Sequence, residues 1–103
     1  MKLVELSEVV KLAYNKIYGE KIIKEEMLTE KKFKLTFRKE AIIIDNSVGN
    51  KYRITFNDYV GTIDHFRNLF DYILGFNDFC CDTSNFIDLT ESFITKLYKH
   101  LHL

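Results

Sequence analysis

Two adjacent cysteines, Cys80 and Cys81, stand between Asp78 and Asp82 in the stretch FNDFCCDTSN, residues 76 to 85, and are the first candidates for chemistry in this chain. A tetrahedral zinc centre takes thiolates at separated spacings, with histidines to match. Neighbouring cysteines diverge instead, and His100 and His102 would point about 200° apart on a helix, which leaves His65 alone. A disulfide between adjacent residues closes a strained ring, and a reducing compartment opposes it. A nucleophilic cysteine needs a base and a setting that favours the thiolate, whereas flanking carboxylates disfavour a second negative charge. What remains is burial as small apolar side chains beneath Phe76 and Phe79. Elsewhere there is no phosphate-cradling glycine loop, no H-E-x-x-H, no G-x-S-x-G and no G-K-[ST]. The residue types therefore predict a non-catalytic protein with no metal and no cofactor.

The elements that position these residues follow from periodicity. Leu6, Val10, Ala13, Tyr14 and Ile17 make one apolar stripe on a helix over 6–18, closed by Gly19. Residues 20–31 are ambiguous between strand and helix. From 32 to 38 the chain alternates, Phe33, Leu35 and Phe37 against Lys34, Thr36 and Arg38, as a strand with one solvated face requires. The segments AIIID (41–45) and KYRITF (51–56) are β-branched and aromatic, and Gly49 can supply the positive φ of the turn between them. Thr62 is placed to cap a helix with Ile63, Phe66, Phe70, Ile73 and Leu74 inward and Gly75 at its end. A last helix is expected over 86–101, with Phe86, Leu89, Phe93, Leu97 and Leu101 as its buried stripe. The expected order is α-β-β-β-α-α: an α+β fold in which helices cover one face of a small three-stranded antiparallel sheet.

With 103 residues and 47% hydrophobic side chains, the chain is read as a single compact domain over 1–103. No apolar run is long enough for a membrane span, and Glu5 and Glu8 break the N-terminal stretch, so neither a span nor a signal peptide is expected. The small cysteine content points to the cytoplasm. Lys, Ile, Asn and Phe are abundant while Trp and Pro are absent, a bias of AT-rich coding.

Net charge is zero, yet it is unevenly spread. Residues 1–53 hold 12 Lys/Arg against 8 Asp/Glu. Residues 54–95 hold only Arg67 against Asp58, Asp64, Asp71, Asp78, Asp82, Asp88 and Glu91. Asp64 and Asp88 suit helix N-termini. The rest serve either solubility, since carboxylates sit on solvated faces in any case, or recognition, in which the seven together form a surface that meets Arg or Lys of a basic protein partner through charge-assisted hydrogen bonds. An opposing reading uses Lys32, Lys34, Arg38, Lys39, Lys51 and Arg53 as a nucleic-acid strip, with Tyr52 stacking on a base. A sequence pI near 6.8 argues against it. A third reading is a structural or assembly subunit, or a homodimer, joined through exposed aromatics such as Tyr59, Phe76 and Phe79.

In length, expected element order, AT-rich composition and acidic second half, the chain resembles the small phage-encoded anti-CRISPR proteins that inhibit Cas9. The resemblance spans the whole chain at the level of topology and charge, and it carries over no individual contact residue. It implies a non-catalytic inhibitor of a host nucleic-acid-handling defence enzyme, acting through acidic side chains where that enzyme presents the basic residues that read its DNA.

Overall fold

Alternation governs the sheet, and the strand register turns it into a core. The computed structural model describes residues 2–57, 61–75 and 85–102. Its elements are α1 (Lys2–Tyr18), β1 (Lys24–Thr29), β2 (Lys32–Thr36), β3 (Ala41–Val48), β4 (Lys51–Thr55), α2 (Thr62–Leu74), β5 (Phe86–Leu89) and α3 (Glu91–His102). All strand pairs are antiparallel, and the spatial order β1-β2-β3-β4-β5 follows the chain. Phe33 stands opposite Ile44, Ile44 opposite Ile54, and Ile54 opposite Ile87, while Tyr52 faces Leu89. All six side chains are buried. Period-two alternation therefore puts one continuous apolar face under the helices.

The helices close that face. Leu3, Leu6, Val9, Val10, Ala13 and Tyr14 of α1, Ile63, Phe66, Phe70 and Leu74 of α2, and Ile94 and Leu97 of α3 join the same hydrophobic cluster. Tyr14 stacks on Phe37 with ring centroids 3.8 Å apart, and Phe66 meets Phe56 edge-on at 4.9 Å. Helix α1 lies against α3 and over β3, and α2 packs on α1, α3 and β5.

The expected three-stranded sheet and the order α-β-β-β-α-α are corrected, among the described residues, to five strands and α-β-β-β-β-α-β-α, within the same α+β class. Two strands account for the difference, one in the segment left open between strand and helix and one expected as the start of the last helix. Residues 24–29 form β1 at the edge, where almost every side chain is exposed and so no apolar alternation marks it. Residues 86–89 form β5 rather than the first turn of the last helix. Phe86 and Leu89 fit a helical spacing, but Ile87 and Leu89 alternate inward, and pairing with β4 decides between the two patterns. The helix begins at Glu91, with the Phe93 N–H directed at the Thr90 hydroxyl 3.4 Å away.

Thr62 is likewise not a cap. Gly61, at φ 71°, occupies the N-cap position of α2, and Thr62 is fully buried with its hydroxyl donating to Glu40. At the other end Gly75, at φ 81°, donates its N–H to the Asp71 carbonyl at 2.7 Å, the left-handed closure that glycine permits without a Cβ penalty.

Candidate protein-binding surface

Of the seven carboxylates expected to bind a partner, Asp58, Asp78 and Asp82 lie outside the described residues, as do Tyr59, Phe76, Phe79, Cys80 and Cys81. The other four divide into two pairs. Asp88, on the solvent face of β5, is held by Arg53 of β4 through Nε to Oδ1 at 2.8 Å and Nη2 to Oδ2 at 3.1 Å. The same guanidinium lies 3.9 Å over the Phe86 ring. The Asp88 hydrogen bonds raise the Arg53 pKa further still. Asp88 is therefore a partner within the sheet before it is a partner for anything else. Glu91, in the first turn of α3, accepts a hydrogen bond from the Tyr52 hydroxyl at 3.3 Å. Burial, and then the Glu91 charge, pushes the Tyr52 pKa up.

Asp64 and Asp71 sit on α2. The Asp64 carboxylate is 74% exposed and lies 3.5 Å from Arg67, whose own side chain is only 16% exposed. The one cation of the acidic stretch is thus turned largely inward. Asp71 is half-buried, with its Oδ1 enclosed. The outward strip of α2 is completed by His65, Asn68 and Tyr72, all exposed, and Tyr72 stands 80% open to solvent. A helix face that carries an open aromatic ring and an open carboxylate offers both apolar area and charge to a basic partner. Tyr72 was missed in the sequence because it falls off the apolar stripe, where a tyrosine carries no periodic signal.

The register sets acidic residues beside two members of the basic strip of the nucleic-acid reading, Lys32 and Arg53. Lys32, Asp45, Arg53 and Asp88 line up across β2, β3, β4 and β5, so opposite charges alternate along the solvent face. Tyr52, expected to stack on a base, points into the core and is 6% exposed. Arg38 is exposed, with Glu20 at 3.9 Å.

A buried polar cluster also escaped the sequence. Glu40, in the turn between β2 and β3, is 6% exposed and accepts hydrogen bonds on Oε2 from the hydroxyls of Tyr14 and Thr62, while the Tyr18 hydroxyl donates to Thr62 at 3.3 Å. Burial, reinforced by the nearby charges of Glu40 and Glu20, pushes the Tyr14 pKa well above its ordinary value. One acidic side chain thereby ties α1 and α2 to a hairpin turn. Among the described residues no group of three or more His, Cys, Asp or Glu is arranged to hold a metal ion, and no helix is long and apolar enough to cross a membrane. No family model, curated protein or solved structure matches the chain.

Proposed function

We propose that the protein is a non-catalytic, cytoplasmic inhibitor that binds a nucleic-acid-handling enzyme, such as a CRISPR effector nuclease, through its acidic half. The observation that carries this reading is the charge distribution: seven carboxylates against Arg67 alone over residues 54–95, with Arg67 turned inward beside an open Asp64. A partner that binds DNA through a basic cleft offers the complementary surface. Tyr72 supports the same face, because its ring lies beside Asp71 in the chain and can accept an arginine from the partner.

The test is a DNA-cleavage assay with a panel of purified CRISPR effector nucleases, run with increasing amounts of the protein. Cleavage by at least one effector should fall as the protein is added, and the inhibition should weaken as salt screens the contact. Asp64→Lys combined with Tyr72→Ala should weaken inhibition by roughly 10-fold or more, which corresponds to about 1.4 kcal/mol. Undiminished cleavage across the panel would remove the effector reading, and inhibition indifferent to the α2 variants would move the contact elsewhere on the molecule.

A further inference from the structure

The second exposed feature of the molecule is an edge. Strand β1 pairs with β2 on one side, and no described residue pairs with it on the other, so the outer backbone groups of Lys24–Thr29 are open. Among the described residues, three of the five exposed large hydrophobic side chains fall at this edge: Ile23 at 65%, Met27 at 69% and Leu28 at 47%. An open edge with exposed apolar residues is what proteins ordinarily guard against, by charge, by twist or by pairing. Met27 stands opposite Phe33, on the helix-side face of the sheet but outside the helix layer. Val4 of α1 is also half exposed, and it lies one turn before Ser7, which contacts Glu25 of β1. Beside the same edge opens a hollow of about 260 Å³ lined by Lys11, Leu12, Asn15, Lys21 and Ile22.

The charges of β1 say what fits there. Lys24 and Glu26 share the solvent face of the sheet, opposite Thr36 and Lys34, and stand 3.8 Å apart. Glu25 is on the helix side, where Lys11 holds it at 2.9 Å and Ser7 donates to it at 3.1 Å. An antiparallel copy of the same strand, related by a two-fold axis at Glu25, sets Lys24 opposite Glu26 of the second copy, and Glu26 opposite its Lys24. The same register sets Ile23 opposite Met27 twice. The two Glu25 side chains meet at the axis with their charges already met by Lys11. This register uses residues 23–27, before the irregularity that shifts the pairing between Met27 and Thr29. Shifting the axis to Glu26 would bring two glutamates face to face and set Lys24 opposite Leu28, and shifting it to Met27 would remove the Lys24–Glu26 pairs.

We infer that the protein forms a homodimer by antiparallel pairing of β1 with β1 of a second copy, joining two five-stranded sheets into one. The occupant is a second copy because the strand is complementary to itself in charge and in apolar positions, in a single register. The dimer is independent of the acidic half and of any inhibitory activity, since its contact lies on β1 and not on α2.

Light scattering after gel filtration, at protein concentrations up to about 0.5 mM, reads the result directly. The wild type should approach twice its 12.3 kDa monomer mass as concentration rises. Lys24→Glu alone and Glu26→Lys alone should each dissociate at concentrations at which the wild type is dimeric, because each sets like charges across the axis. Mixed in equal amounts, the two variants should pair with each other, because each Glu of one then meets a Lys of the other. Circular dichroism establishes that each variant is folded. A wild type that stays at the monomer mass throughout, a dimer that persists in both single variants, or singles that fail to pair on mixing would each overturn the inference. So would a monomer whose β1 edge instead takes up an unrelated extended peptide.

Discussion

Glu40 does the work of a linker although nothing in FRKE, residues 37–40, marks it as other than a solvated turn. Its Oε2 accepts from two hydroxyls that are themselves sealed from solvent, Tyr14 at 1% and Thr62 at 0% exposure, so the carboxylate satisfies groups that water cannot reach. Its Oε1 is enclosed without a hydrogen-bond partner among the described residues. Removing the acceptor strands both hydroxyls. Glu40→Ala should therefore lose about 2–4 kcal/mol in urea unfolding, because each buried unsatisfied group costs about 1–3 kcal/mol. Glu40→Gln keeps an acceptor and should lose about 1 kcal/mol or less. A double-mutant cycle with Thr62→Val isolates the contact, and equal losses for Ala and Gln would mean that the hydroxyls do not depend on this acceptor.

At the scale of elements, what was legible depended on whether local pattern and tertiary pairing agreed. The middle of the sheet was readable because Phe33, Leu35, Ile42, Ile44 and Ile54 alternate in the chain and are buried in the fold. Helix α2 was readable for the same reason, with Phe66 and Phe70 on its inward stripe. Strand β5 was not, because a four-residue segment supports two periods at once, and only its pairing with β4 chooses. Strand β1 was unreadable because an edge whose side chains are almost all exposed has no inside to report. The candidate binding residues were legible by type alone. The sequence shows that Asp88 and Glu91 are acidic, but not that Arg53 and Tyr52 already engage them. The two patterns for residues 86–89 make opposite predictions. A helix would bury Phe86 and leave Ile87 outside. The strand buries Ile87 at 3% exposure and leaves Phe86 half-buried under Arg53. Ile87→Ala should lose about 2–5 kcal/mol in chemical denaturation. Phe86→Ala should lose no more than about 1–2 kcal/mol, given the moderate strength of a partly solvated cation–π contact. The reverse ranking would restore the helix.

For the molecule as a whole, groups with raised pKa values are spread over both ends of the core, and all act in the same direction with pH. Tyr14 is raised by its burial and then by Glu40, and Tyr52 by its burial and then by Glu91. For Lys11 burial pulls the pKa down, but the hydrogen bonds and charges of Glu25 and Glu8 outweigh it and hold the ammonium above its ordinary value. A group whose pKa is higher folded than unfolded gives stability that is fully present below the unfolded value and is lost as pH rises toward the folded one. Ordinary tyrosine and lysine values of about 10 and 10.4 place the onset of that loss near pH 10. Above this point the unfolded chain releases protons that the native core retains. A group held as far above its ordinary value as Tyr14 contributes a slope approaching about 1.4 kcal/mol per pH unit. Urea titrations should therefore show a steep fall in stability above about pH 10. Tyr14→Phe lowers stability at neutral pH by the lost hydroxyl contact, yet it should make the alkaline fall shallower by about one proton, and Tyr52→Phe should change the slope in the same direction. The tyrosinate absorbance of Tyr14 should appear only as the chain unfolds. An alkaline slope unchanged in both variants would show that the loss of stability has its source outside these two buried hydroxyls.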